Sequence, residues 1–249
     1  MATATLPKAR KNLGIEGKKA EWMAEMTGKS MERWVELAKW TAKRVPPGAA
    51  ILDVATGPGY LCIELAKLGD YAVSGLDLSH TLVEISKEKA AKDGVSVDFR
   101  QGDVCNMPFA DNSFDFVHCR GAFKNFGDPL GALREMHRVL KPGCEGVIKD
   151  LNRNAPRKAL NQTIDTWGLP LPNRLLTKLL FQFRVRNSAY SKEQFESMLV
   201  QVKFSRFEIQ QNGIDIDVLM WKRLPLVPAT FPCSLVLCLI VEGAIYDSF

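Results

Sequence analysis

Three acidic side chains and one glycine turn are the parts of this chain best suited to bind and activate a ligand. Asp53 stands before the turn Ala55-Thr56-Gly57-Pro58-Gly59, Asp77 closes an apolar run that starts at Val73, and Asp103 follows the run from Val97. Glycines at 57 and 59 let backbone approach a ligand where a Cβ would collide. A helix opening near Tyr60 would then point its unpaired amides at that ligand. A carboxylate such as Asp77 can accept from both hydroxyls of a ribose, and one at Asp103 can accept from a purine amino group. The set suits a nucleotide-type ligand. A second group, His118, Arg120, Lys124 and Asn125, gathers where the run from Phe114 ends. Arg120 could orient an enolate, phenolate or carboxylate through charge-assisted hydrogen bonds, or pair with an acid on a neighbouring helix. His118 could serve as a base, although strand alternation puts it on the face of Phe114 and Phe116, where a histidine packs.

Positioning these residues requires strands that alternate with helices. Ala50 to Val54 reads as a buried parallel strand, followed by a helix to about Leu68, a strand to Asp77, and a helix from about Ser79 to Asp93. A third strand lies within Val97 to Val104 and a fourth within Ser113 to Arg120. Asp128-Pro129 has the form of an N-cap with proline at the first helical position; that helix runs to Leu140, Pro142-Gly143 breaks it, and Glu145 to Leu151 make a fifth strand. Ser191 to Gln194 reads as a capping box for a helix to about Val202. Phe204 to Gln211 and Ile214 to Trp221 flank Asn212-Gly213, a pair suited to a type I′ hairpin. Ahead of the first strand, Met31, Trp34, Val35, Ala38, Thr41 and Ala42 recur at helical spacing, and Trp22, Met23 and Met26 suggest a shorter helix over the ligand mouth. The expected organisation is one α/β domain over residues 1–223, with 1–44 as a helical cap and 152–190 as a substrate-facing insertion rich in Leu, Phe and Arg.

A dinucleotide turn needs a third small residue where Cys62 stands, and Asp103 adds an acid that such a site does not call for; an NAD-dependent dehydrogenase is therefore the disfavoured alternative. The chain instead resembles the class I S-adenosylmethionine-dependent methyltransferases. Their motif after strand one, acid-x-Gly-x-Gly-x-Gly, is matched by Asp53, Ala55, Gly57 and Gly59, with Ala55 in place of the first glycine. The likeness extends through Ser113–Arg120 and Ala132–Gly143, and covers roughly residues 45–222. It implies a Rossmann-like doubly wound sheet of seven strands, order 3-2-1-4-5-7-6 with strand seven antiparallel and helices on both faces. It also implies a cofactor site made by Asp53, Ala55, Thr56, Gly57, Gly59, Asp77, Leu78, Gly102, Asp103, Val104 and Arg120. The segment Phe123–Pro129 is similar to the one after strand four in ubiquinone and menaquinone C-methyltransferases, with Lys124 where those enzymes carry arginine beside the asparagine. The function expected is methyl transfer from S-adenosylmethionine by direct displacement to a small apolar or aromatic molecule, at carbon ahead of oxygen or nitrogen. Arg120, Lys124, Asn125 and His118 are the catalytic candidates. The competing expectation is a protein that binds the cofactor yet catalyses a non-methylating cyclisation or rearrangement.

Composition narrows the remaining classes. The 249 residues, 46% of them hydrophobic, can bury one sizeable core. Residues 1–50 account for the whole net charge of +5, and five glutamates interleaved there favour a solvated helical face over a nucleic-acid surface. Six cysteines without a Cys-x-x-Cys pair read as reduced structural thiols, and three scattered histidines give no metal set. The basic, polar start points to a cytoplasmic protein without firm membrane association. The apolar run Ser234 to Val241, in a tail (224–249) of no assigned role, is too short to span a bilayer.

Overall fold

In the computed structural model, which describes residues 14–224, seven strands form one sheet in the order β3-β2-β1-β4-β5-β7-β6. The strands are β1 Ala50–Val54, β2 Ala72–Asp77, β3 Asp98–Gln101, β4 Phe114–Arg120, β5 Leu140–Leu151, β6 Arg206–Asn212 and β7 Asp215–Trp221. The first five run parallel, and β7 is antiparallel to both β5 and β6. The helices are α1 Lys18–Gly28, α2 Met31–Ala42, α3 Tyr60–Leu68, α4 His80–Lys92, α5 Pro129–Val139, α6 Arg157–Asp165, α7 Leu171–Ser188 and α8 Lys192–Val202. Alternate strand residues feed opposite faces, as the two-residue period demands. Ile51, Phe116, Val147 and Leu219 pack with Leu37, Leu61 and Val83 of α2, α3 and α4. Their neighbours Leu52, Val117, Ile148 and Val218 pack with Leu133, Met136, Met198 and Leu199 of α5 and α8. Both faces are thus covered, which accounts for strands that read as continuous apolar runs.

Helix starts follow the chain's polar punctuation. Ser79 Oγ accepts from Leu82 N, Asp128 accepts from Gly131 N, and Ser191 and Gln194 close the expected capping box. Two local expectations are corrected. The fifth strand begins at Leu140 rather than Glu145, because a register shift opposite Phe114 to Phe116 carries it past Pro142-Gly143 without a break. The hairpin turn is Gly213-Ile214, since Asn212 pairs with Asp215 as the last rung. Of the two, only Gly213 has positive φ (62°), the pattern of a type II′ turn, and Ile214 packs against the small core of Ala155, Leu160, Val185 and Ala189. The 224–249 tail lies outside the described residues from 225 onward.

The glycine turn carries three left-handed positions, Ala55, Gly57 and Gly59, and the first and last are of opposite quality. Gly59 (φ 76°) caps α3 so tightly that a Cβ there would sit 2.6 Å from both Phe99 and Ser86. Ala55 (φ 57°) holds with a methyl group a conformation that costs an L-residue about 1 kcal/mol. Gly59→Ala should therefore lose about 2 to 4 kcal/mol, the backbone cost plus overpacking, while Ala55→Gly should be neutral or stabilising by up to about 1 kcal/mol. Urea denaturation of both variants checks this; a clear loss on Ala55→Gly contradicts the strain at that position.

Candidate active site

Beyond the carboxyl ends of β1, β2 and β4 lies a cavity of about 610 Å³, a size ordinary for a small-molecule site. The turn Ala55–Pro58 forms its floor, with Asp77 and Leu78 from the end of β2, and Asp103 and Val104 after β3. Gly121, Ala122, Asn125 and Phe126 close the side beyond β4. Asp77 is buried, and its two oxygens accept from Gly57 N (2.8 Å) and Ser79 N (2.9 Å). No cation pairs with it among the described residues, so burial pushes its carboxyl above the usual aspartate range despite those two bonds. A carboxylate has about four acceptor sites, so Asp77, which lines the cavity, has capacity for a further donor. Asp103 accepts from Cys105 N (2.9 Å), which folds the loop after β3 so that the acid meets the cavity.

The roof comes from the N-terminal helices. Glu16 accepts from His80 N, Thr81 N and the Thr81 and Ser79 hydroxyls, bonds that clamp the start of α1 to the start of α4 and hold its carboxyl down at about 2. Gly14, Ile15, Lys19, Trp22 and Met23 then overhang the turn. Trp34 of α2 donates from Nε1 to Thr27 O and leans on Tyr60, with ring centroids 6.1 Å apart. The guanidinium groups of Arg33 and Arg120 lie 5.0 and 4.9 Å from its ring centroid. Neither arginine forms an ion pair among the described residues. Burial and the like charge of Arg120 push Arg33 below its ordinary value, and Arg33 Nε is buried without a partner. Two cations thus line the cavity without a direct ion pair, Arg120 acting only at longer range on Asp215. A second hollow of about 510 Å³ adjoins the first at Arg33, Arg120 and Gly121.

Of the residues expected from sequence, Ala55, Thr56, Gly57, Asp77, Leu78, Asp103, Val104, Arg120 and Asn125 meet in this cavity. Asp53, Gly59 and Gly102 shape it from behind. Gly102 N donates to Asp77 O, and Asp53 lies in the sheet with its Oδ1 3.5 Å from His118 Nδ1. His118 is fully buried beside Asp53 and does not line the cavity, which favours packing over acid–base work. Lys124 is also withdrawn. Its Nζ lies 2.8 Å from Asp150 Oδ1 and bonds Gly121 O, while its backbone amide donates to Asp150 Oδ2, a buried ion pair that pins the turn after β4. Tyr190 packs with Phe123 and Phe195, and His137 stacks edge-on against Phe204 at 4.9 Å. Trp22 and Met23 line the cavity from the short helix expected over its mouth, whereas Arg33, Trp34 and Arg184 were not expected in the site. Their local patterns are those of ordinary amphipathic helices, and only the tertiary arrangement turns them inward.

Comparison with known proteins agrees with this geometry. Residues 52–148 match the methyltransferase-domain family. The chain is 34% identical over 175 residues to a demethylmenaquinone methyltransferase of Chlorobaculum parvum, covering 68% of this chain and 71% of that protein. It is 39% identical over 119 residues to a ubiquinone/menaquinone biosynthesis C-methyltransferase of Bdellovibrio bacteriovorus, covering 47% of this chain but only half of that protein. Among solved structures, a candidate S-adenosylmethionine-dependent methyltransferase of Methanococcus maripaludis superimposes with a TM-score of 0.70 at 24% identity, over 89% of this chain and all of that one, a likeness of fold.

The Lys124–Asp150 pair gives a direct check of which residues are structural. Lys124→Ala strands a buried carboxylate and should cost about 3 kcal/mol of folding stability. A loss below about 1 kcal/mol in urea denaturation would place Lys124 among the solvent-facing cations instead.

Proposed function

Because the chain belongs to the class I S-adenosylmethionine-dependent methyltransferases, we propose that it transfers the methyl group of this cofactor to a ring carbon of a quinone-type aromatic small molecule. The observation that carries the reading is the division of the cavity. Acceptors for a nucleoside, Asp77 and Asp103, lie at one end over the glycine turn, and cations with aromatic and amide groups, Arg120, Trp34, Phe126 and Asn125, lie at the other. The cofactor fits the first end: Asp77 offers paired lone pairs to ribose hydroxyls, Asp103 an acceptor to the adenine amino group, and Gly57 an open backbone. When bound, it supplies an electrophilic methyl on sulphur. Direct displacement then asks the protein mainly to align the two reactants and exclude water.

Arg120 suits the acceptor. A hydroquinone ring carbon becomes nucleophilic as the neighbouring oxygen gains negative charge, and a guanidinium beside that oxygen stabilises it. Methylation at that carbon would leave the thioether S-adenosylhomocysteine, and the ring proton would pass to solvent as the aromatic ring is restored. Arg33, whose Nε lacks a partner, suits the carboxylate of the methionine tail. The names of the two relatives, both quinone methyltransferases, support the acceptor class. The lysine that replaces their arginine does not weigh against it, since Lys124 is spent on Asp150 and does not line the cavity.

Incubation with methyl-labelled cofactor and a panel of demethylated naphthoquinols, phenols and amines tests the proposal. Label is expected on the ring carbon of a quinol; transfer to amines alone, or to none of the panel, would overturn it. Arg120→Ala should lower kcat/KM for the acceptor about 100-fold and leave cofactor affinity near wild type. An equal loss of cofactor affinity would move Arg120 to the cofactor's own carboxylate. Asp77→Ala should weaken cofactor binding by about 1 to 3 kcal/mol in titration calorimetry, and unchanged affinity would exclude it as the ribose acceptor.

A further inference from the structure

The helix α7 is apolar on both sides, although only one side is covered. Phe181 and Val185 turn inward to Leu160, Ala155 and Ile214. On the opposite face Leu175, Leu176, Leu179, Leu180 and Phe183 are each 56% to 69% exposed, with Leu171 extending the stripe at 64%. At one turn per 3.6 residues these positions fall on one half of the helix surface, over about 18 Å. A surface helix normally carries polar residues there, so an apolar outer face marks an interaction site. Charge identifies the occupant. The helix carries Arg174, Lys178, Arg184 and Arg186 and no acidic residue. Arg174 and Lys178 are paired with Asp165, whereas Arg184 and Arg186 form no ion pair among the described residues. Arg184 lies on the rim of the cavity that also includes Lys19 and Trp22, and Trp22 is 61% exposed.

We propose that the outer face of α7, with Trp22 beside it, docks in the interfacial layer of an anionic lipid bilayer and turns the cavity mouth toward the membrane. Apolar side chains enter the acyl boundary while basic heads remain at the phosphates. A second copy of the chain fits less well, because a two-fold pairing of α7 would set one basic helix against another with no acid between them. The chain's own apolar run, Ser234 to Val241, also fits less well, since it carries no acidic residue to meet Arg184 and Arg186. No described helix is long and apolar enough to cross a membrane, so the contact is peripheral. This departs from the expectation of no firm membrane association.

The test is co-sedimentation of the full chain with vesicles of phosphatidylcholine alone or mixed with phosphatidylglycerol, at low and high salt. Binding should need the anionic lipid and weaken with salt. It should fall at least about tenfold in Leu175→Ser/Leu179→Ser/Phe183→Ser and in Arg184→Glu/Arg186→Glu, two exposed sets whose folding is checked by thermal denaturation. It should persist in the tail variant Leu235→Ser/Leu237→Ser/Leu239→Ser. No binding to anionic vesicles, binding that survives both α7 variants, or binding lost in the tail variant would each overturn the proposal. So would a dimer in light scattering that the α7 apolar variant converts to monomer. Vesicle binding needs no turnover, so its failure leaves the methyl-transfer reading intact.

Discussion

The site depends on one buried carboxylate. Asp77 sits at the last position of β2, where the sheet ends and the cavity begins, and its two oxygens hold Gly57 N on one side and Ser79 N on the other. This single group fixes the glycine turn against the start of α4, and Gly102 N, bonded to Asp77 O, ties in the loop that bears Asp103. A buried acid without a cation is costly, which is the reason its proton is held more tightly than usual. That cost is what makes the residue useful: hydroxyl donors from a ligand relieve it, so affinity and the shape of the turn arise from the same atoms. Ala55 bears the complementary strain, with a left-handed φ where glycine would rest freely.

What the sequence made legible is whatever local chemistry dictates. Runs such as Ala50–Val54, caps such as Asp128-Pro129 and Ser191–Gln194, and the acids at strand ends are set by neighbours in the chain, and the sheet order followed from the family resemblance they support. What was illegible depends on distant partners. Lys124 reads as a catalytic cation until Asp150, 26 residues away, is found under it. Arg33 and Trp34 read as one helix face until Arg120 is seen beside the same ring. The hairpin turn lies one residue further on, where Ile214 packs against Ala155, Leu160 and Val185, contacts that hairpin propensity alone does not register.

Part of the cavity wall is built from the least patterned segments, the N-terminal helices and residues 152–190. The helices bring Lys19, Trp22, Arg33 and Trp34 to the cavity and the 152–190 segment brings Arg184, beside an uncovered apolar helix face. An acceptor with an apolar body and an ionisable ring oxygen matches both features: the body prefers the apolar surroundings, and the oxygen prefers Arg120. Family membership sets the dehydrogenase alternative aside, because the methyltransferase-domain match spans the turn and the fourth strand together.

The claim at the centre is that Asp77 recognises the ribose of the cofactor. Titration calorimetry with S-adenosylhomocysteine and its 3′-deoxy analogue, on the wild-type chain and on Asp77→Asn, isolates that contact as a double cycle. The account predicts that removing the hydroxyl costs the wild type about tenfold or more in affinity and costs Asp77→Asn clearly less. Equal losses in the two proteins would contradict it.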